Sequence, residues 1–179
     1  MVAGVEAGLH GGRRRSEPEE IIAPLRHRDL AAEAAKLASS VDAGKAEGEA
    51  PVVTLSGAIT ATLADLMAVD ESILVFGEDV GRKGGVYGLT RGLRKRFGGA
   101  RVLDTLLDEQ TILGTALGAA LDGRLPIPEI QYLAYLHNAE DQLRGEAASL
   151  RFFSNGAYAN GMVVRVAGLA YQRGFGGHF

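Results

Sequence analysis

Ionisable side chains follow four successive strand-like segments of this chain. Glu78 and Asp79 come directly after the apolar run ILVFG, and Asp104 ends the segment RVLD shortly before Asp108 and Glu109. The later members of the set are Glu129, Tyr132, Tyr135, Arg165 and His178. The carboxyl ends of parallel strands meet at one edge of a sheet, which is where such folds bind ligands. The spacing therefore predicts an acidic binding edge.

Several of these residues also have an ordinary structural interpretation. Asp108 and Glu109 stand where a helix begins, so capping and the helix dipole would explain them without chemistry. Glu78 and Asp79 could be surface carboxylates, Tyr135 could belong to the core or its rim, and His178 could be solvated. The sequence contains no GxGxxG after a strand, no Walker motif, no HExxH and no GxSxG, so dinucleotide, P-loop, zincin and serine-hydrolase functions have no support.

The elements that must position this edge alternate between helical and extended periodicity from Thr54 onward. The predicted strands are 73–76, 101–104, 126–132 and 162–167, and the predicted helices are 55–66, 89–96, 109–121 and 137–153, with Thr54 or Ser56 as the first cap. Parallel neighbours need crossover connections, which are usually helical. The predicted fold class is α/β, a parallel sheet with helices on both faces.

The composition indicates one globular domain with a tail. The chain has 179 residues and 46% hydrophobic content, which is enough for a buried core. Residues 1–50 are predicted to be an N-terminal tail and linker, and residues 51–179 the domain. The chain stops directly after GFGGHF, which predicts a domain truncated at its C-terminus.

Charge and composition also limit the partners and the compartment. A net charge of −3 gives no electrostatic reason to expect nucleic acid or an anionic membrane. The sequence has no apolar run approaching the ~18 residues that span a bilayer, and it lacks a secretory signal. Without cysteine there is no disulfide framework or thiolate metal site. We expect a cytoplasmic protein.

From Thr54 to His178 the sequence resembles the transketolase-like pyrimidine-binding domain in the beta-type subunit of thiamine-diphosphate-dependent 2-oxo acid dehydrogenases. The blocks that carry the resemblance are ILVFGEDVG, GGVYGLTRGLRKRFG, RVLDTLLDEQTILGTALGAAL, PIPEIQYLAYLHNAEDQLRGEAASLRFFS and MVVRV. The resemblance implies part of an enzyme that decarboxylates a 2-oxo acid and passes the acyl unit to lipoyl-lysine on an acyltransferase. The isolated chain is not expected to be active.

The resemblance implies roles for four residues. Glu109 occupies the cofactor-activating position of a DTxxxE pattern. A carboxyl there is hydrogen-bonded to a nitrogen of the pyrimidine ring and promotes proton removal from the thiazolium carbon. Tyr135 matches an aromatic residue that stacks on the aminopyrimidine. Glu78 matches a second acidic residue in the channel between paired active sites. His178 matches an active-site histidine on the substrate side.

The resemblance also implies partners. The family's diphosphate and magnesium motif, GDG followed by Asn, does not occur here, so magnesium is expected on an alpha-type subunit or domain and no metal ligand is predicted in this chain. The expected assembly is a homodimer or heterotetramer, with a lipoyl acyltransferase as a further partner. The stretch EPEEIIAPLRHRD is somewhat like the end of an alpha-type subunit, which predicts a fragment of an alpha-beta fusion. Leu106, Asp108 and Phe179 depart from the family's common Pro, Ser and Ser, which leaves the substrate open.

Two alternative functions remain at this point. A transketolase or deoxyxylulose-phosphate synthase relative would share the domain, but its sugar-phosphate substrates would require further basic and histidine residues. A non-catalytic doubly wound binding module, such as a receiver-like domain with an acidic metal pocket, would need a phospho-acceptor Asp and a late strand-end Lys, and neither is evident.

One helix carries a further pattern. Gly114 and Gly118 lie one turn apart among alanines and predict a thin helix face. Another backbone could pack there, either from a second chain or from within the domain.

Overall fold

A parallel sheet formed by the apolar runs lies at the centre of the fold. The structure is a computed structural model that describes residues 52–168 and the isolated Ala32 and Ala35. Within 52–168 the strands are β1 (Ile73–Gly77), β2 (Val102–Asp104), β3 (Leu125–Ile130) and β4 (Arg165–Val166), all parallel in the order β2-β1-β3-β4. Apart from Ala32 and Ala35, the predicted tail, 1–50, lies outside the described residues, and so does His178.

Helices cover both faces of this sheet. They are α1 (Leu55–Val69), α2 (Leu93–Phe97) and α3 (Glu109–Leu121). A short helix later in the chain, α4 (Leu150–Phe153), has no buried residue. On one face, α1 and α2 pack on a cluster that contains Val75, and on the other, α3 packs on a cluster that contains Phe76. Successive strand residues point to opposite faces, so one strand supplies both cores. The predicted α/β class is confirmed.

The ends of α1 show how local chemistry fixes an element. Thr54 caps the helix, because its Oγ1 accepts from the Gly57 N–H at 3.1 Å, and it is therefore the cap among the two predicted candidates. At the other end, the Arg101 guanidinium donates to the carbonyls of Met67 and Asp70 at 2.9 and 2.6 Å. A cation is favourable at a helix C-terminus, and this one also donates to the carbonyl of Ile73 in β1. Arg101 thus ties helix α1 to the sheet.

The predicted basic helix begins later than expected. It starts at Leu93 rather than at residue 89. Gly92 has a φ of 85°, a conformation that glycine adopts readily and that does not continue a helix. The Thr90 hydroxyl donates to the Val80 carbonyl at 2.7 Å. Residues 89–92 therefore belong to the loop that packs on Val80.

The prediction of one long helix over 137–153 is wrong. This stretch forms a 3₁₀ segment (Leu133–Ala139), a π segment (Asp141–Ala147) and then α4. Gly145 is a poor helix former, and the Ala148 N–H donates five residues back to the Leu143 carbonyl at 2.9 Å. The changes in winding bring Tyr135, Ala139 and Leu143 onto the same core cluster.

The predicted last strand, 162–167, is shorter in the structure, where β4 is Arg165–Val166. Backbone hydrogen bonds continue on either side, from Val163 to Pro126 at 3.1 Å and from Ala167 to Ile130 at 3.3 Å. Within the residues described, none of the helices has the length and apolar character needed to cross a bilayer.

Helix α3 begins and ends at the predicted residues, but its glycine face is open. A Cβ added at Gly114 or Gly118 would meet no atom within 4 Å. The prediction that these glycines pack against another segment of the same domain is therefore wrong for the described residues. Packing against another chain stays a prediction.

Candidate functional site

Two predicted carboxylates come to the same edge of the sheet. Glu78 follows β1, and Glu109 begins α3 after the loop that leaves β2. The two segments are joined where the Thr105 N–H donates to the Gly77 carbonyl at 2.8 Å. Each carboxylate is therefore held near the other by the pairing of β1 with β2.

Glu109 is a buried carboxylate at a helix start, with 4% of its surface exposed. The Asn138 side chain donates from Nδ2 to Glu109 Oε2 at 3.2 Å. Negative charge is favourable at this end of a helix. Sequence reasoning missed Asn138, although it follows Tyr135 by one turn of the same 3₁₀ segment.

Asp108 stands at the predicted N-cap position, but its side chain caps no backbone N–H of the helix. Asp108 is the N-cap residue of α3, and its carboxylate accepts from the Thr111 hydroxyl instead of from a backbone N–H. Before it, Leu106 and Leu107 are 80% and 78% exposed. The loop between β2 and α3 therefore has an exposed apolar middle and a buried acidic end.

Glu78 is half-buried, and its surroundings favour the protonated form of its carboxyl more than water does. Its Oε1 is buried without a hydrogen-bond partner among the described residues. Burial raises the pKa of the Glu78 carboxyl, and the negative charges of Glu109 and then Asp79 raise it further. Glu78 thus lies close enough to Glu109 for the two carboxyl groups to interact electrostatically, and such neighbouring carboxyl groups are common in acid-base sites.

A row of three tyrosines borders the site. Tyr135 is half-buried against the α3 cluster and stands edge-on to Tyr132, with ring centres 5.8 Å apart and planes at 80°. Tyr132 is in turn edge-on to Tyr87, at 6.4 Å and 89°. Such contacts fix ring orientation. The row runs from the core to the exposed ring of Tyr87 in the glycine-rich loop.

Two other acidic residues of the predicted edge have structural partners. Asp104 accepts backbone N–H groups from Gly81 and Arg82. Asp79 Oδ2 accepts from Lys83 Nζ and Gln131 Nε2, both at 2.9 Å. Sequence reasoning missed Gln131 as a partner. These carboxylates shape the loop after β1.

Glu129 lies inside β3 rather than beyond it and forms an ion pair with Arg165 of β4. Burial lowers the pKa of Arg165. Of the residues predicted at this edge, Glu78, Glu109 and Tyr135 therefore remain as candidate functional residues within 52–168. His178 lies outside the described residues, and within 52–168 no three His, Asp or Glu side chains group as a metal site would require.

Comparison with known proteins identifies the family of the domain that carries this site. Residues 52–171 match the family described as "Transketolase, pyrimidine binding domain". The chain belongs to this family. Membership decides against the receiver-like class that the acidic pair alone had left open.

The transketolase pyrimidine-binding domain of this chain is also similar to named beta subunits. It is 42% identical over 113 residues to "Pyruvate dehydrogenase E1 component subunit beta" of Bacillus subtilis, which covers 63% of this chain and 35% of that protein. It is 42% identical over 114 residues to "2-oxoisovalerate dehydrogenase subunit beta" of the same organism, covering 64% and 35%. For "3-methyl-2-oxobutanoate dehydrogenase subunit beta" of Mycobacterium tuberculosis the values are 43% over 114 residues, 64% and 33%.

The resemblance indicated by the sequence blocks is therefore confirmed as homology to these beta subunits. The chain spans about a third of the length of the curated relatives it matches. Identities of 42%, 42% and 43% favour neither pyruvate nor a branched-chain acid.

Proposed function

We propose that this chain binds the aminopyrimidine of thiamine diphosphate in a 2-oxo acid dehydrogenase component. The observation that carries the proposal is the buried Glu109 carboxylate at the start of α3. The residues present fit the group, because an aminopyrimidine offers ring nitrogens to a carboxyl and a flat face to an aromatic ring. The unpartnered buried Oε1 of Glu78 adds a polar atom in need of a partner.

Each residue has a defined role in this proposal. Asn138 holds Oε2 of Glu109, and we assign Oε1 to a pyrimidine ring nitrogen, where Glu109 gives and takes a proton. Tyr135, whose ring orientation is fixed by Tyr132, would supply the aromatic contact to the pyrimidine. Burial and the charge of Glu109 raise the pKa of Glu78, so its carboxyl takes up a proton more readily than an exposed glutamate does. When bound, the cofactor would supply carbon-nucleophile chemistry that no side chain of the protein provides.

We assign the other binding and transfer steps of the reaction to partner subunits or domains. An alpha-type subunit or domain binds the diphosphate and magnesium, within a homodimer or heterotetramer. The assembled enzyme decarboxylates a 2-oxo acid oxidatively and passes the acyl unit to lipoyl-lysine of an acyltransferase. His178 is assigned to the substrate side of the site. The homology to pyruvate and 2-oxoisovalerate dehydrogenase beta subunits supports the substrate class.

The test is Glu109→Gln in the enzyme assembled with an alpha-type partner. Loss of a general acid-base group typically costs ~100-fold to 10,000-fold, so exchange of the thiazolium proton, followed by NMR, should slow by that amount while cofactor binding changes much less. Gln keeps a hydrogen bond to the ring but cannot pass the proton. Glu71→Gln, exposed in the turn before β1, is the matched control. Exchange within about threefold of wild type would leave Glu109 as a helix-start carboxylate.

A further inference from the structure

We propose that Asp104 is a positioning residue that fixes the loop carrying Glu78 relative to Glu109. The proposed function uses the last residue of the DTxxxE motif and leaves its first residue, Asp104, without a role. The inference rests on the proposed function of the two glutamates.

The contacts of Asp104 join the two acidic motifs. Its Oδ1 accepts from the N–H of Gly81 at 2.6 Å and of Arg82 at 3.2 Å, and its Oδ2 accepts from Arg82 at 3.1 Å. Gly81 is the last residue of GEDVG, the motif that contains Glu78. Hydrogen bonds from backbone N–H groups to an ionised carboxylate are stronger than neutral ones. One side chain from the β2 loop therefore holds the far end of the β1 loop.

The near end of the same loop is anchored separately. Gly77, the residue before Glu78, is held by the pairing of β1 with β2, where its partner in register is the backbone of Asp104. Val80, two residues after Glu78, is fully buried. The side chain of Glu78 thus lies between an anchor at Gly77 and the contact with Asp104. Without that contact, the turn at 81–82 loses its acceptor, and the loop that carries Glu78 keeps only the anchors at Gly77, Asp79 and Val80.

Close packing at Gly81 supports the same conclusion. A Cβ added there would lie 2.9 Å from Asp104 Oδ2, closer than such atoms approach. Gly81 is not among the glycines with positive φ, so its backbone conformation is open to alanine. Gly81→Ala would therefore disturb the contact without straining the backbone. It provides a second perturbation in which residue 104 is still an aspartate.

The first experiment compares Asp104→Ala, Asp104→Asn and Gly81→Ala with wild type in the full chain without cofactor. Hydrogen exchange should speed up at the Gly81 and Arg82 amides by about tenfold or more in Asp104→Ala, and less in Asp104→Asn, which keeps an acceptor. The pKa of Glu78, followed by carboxyl NMR, should fall towards its ordinary value of 4.5. A merely structural Asp104 would lower the unfolding midpoint but leave the titration of Glu78 in place.

Two control variants separate this effect from charge and from glycine replacement in general. Asp65→Asn removes a carboxylate from the exposed face of α1, and Gly114→Ala adds a methyl group where space is open. Neither should change the two amides or Glu78. If Asp104→Ala does not fold, Asp104→Asn and Gly81→Ala still decide the question.

The outcome is independent of the test of Glu109. An unchanged Glu78 titration in both Asp104→Asn and Gly81→Ala would overturn the positioning role, whether or not amide exchange speeds up and even if Glu109→Gln abolishes proton exchange. Conversely, a mobile loop with a shifted Glu78 supports the positioning role even if Glu109→Gln has no effect, and then only the proposed function fails.

Discussion

The ion pair between Glu129 and Arg165 offers a quantitative test of how β4 is held. Their side chains are 9% and 20% exposed and face each other across the β3 and β4 register. Breaking a buried pair from one side leaves an uncompensated charge and costs about 3–5 kcal/mol. Arg165→Met leaves the more deeply buried Glu129 alone, so we expect a cost near the upper value, about 4–5 kcal/mol. Glu129→Gln leaves the less buried guanidinium and should cost about 3 kcal/mol.

The double variant and the pH dependence make the test specific. The double variant Glu129→Gln with Arg165→Met should recover about 2 kcal/mol or more, because no buried charge remains. In Arg165→Met alone, the unpaired carboxyl binds a proton more readily in the folded than in the unfolded chain. The stability contributed by that proton is present at low pH and lost as pH rises, so the defect should shrink between about pH 7 and pH 5. The guanidinium left by Glu129→Gln stays charged throughout, so that defect should not shrink.

The assay is urea unfolding of the full chain followed by circular dichroism. Arg144→Met is the control, since it removes an exposed pair with Glu140 whose side chains are 76% and 59% exposed, and such pairs contribute about 0–1 kcal/mol. Equal costs for the two single variants at both pH values, or costs below about 1 kcal/mol, would refute the reasoning from burial.

The remaining predictions concern Glu78 and Gly114. The raised pKa of Glu78 means that its contribution to stability is fully present below its ordinary value of 4.5 and is lost as pH rises through the raised pKa. Glu78→Gln should therefore be about 0.5 kcal/mol more stable than wild type at about pH 7.5, after discounting for partial exposure, and equal to it near pH 4; a constant difference in urea midpoint would contradict this. Gly114→Ala should stabilise the free chain by about 1 kcal/mol, because the site is an open helix interior position, and a lower thermal midpoint would show that the space is filled.

Elements with one dominant local signal could be predicted from the sequence. Helix α3 has the predicted bounds because its buried apolar residues, Ile112, Leu113, Ala116 and Ala120, recur at helical spacing, and their packing outweighs the two glycines. The segment after β3 could not be predicted, because its sequence suits a helix and the choice among 3₁₀, π and α winding depends on contacts with α3. Tertiary packing overrides local preference there. The start of α2 was missed for a similar reason, since the contact of Thr90 with Val80 is nonlocal.

For the site as well, the sequence predicted which residues come together, while their individual roles depend on nonlocal contacts. The strand-end rule brought Glu78 and Glu109 to one edge, and only the structure separates them from Asp104 and Glu129, which resemble them in sequence. Burial, backbone N–H partners and the ion pair with Arg165 make that separation. Asn138 gave no signal in the sequence, because a single Asn on a polar helical stretch is ordinary.

The loop between β2 and α3 combines fixed ends with a free middle. Asp104 and Glu109 are each hydrogen-bonded, whereas Leu106 and Leu107 are about four-fifths exposed. Substitutions at those two positions therefore carry little penalty in folding, typically within about 0.5 kcal/mol for an exposed site. Selection can then vary the surface beside the site while the acidic groups stay in place. A change at Leu106, the position where the resemblance leads us to expect Pro, is of the kind that such a loop tolerates.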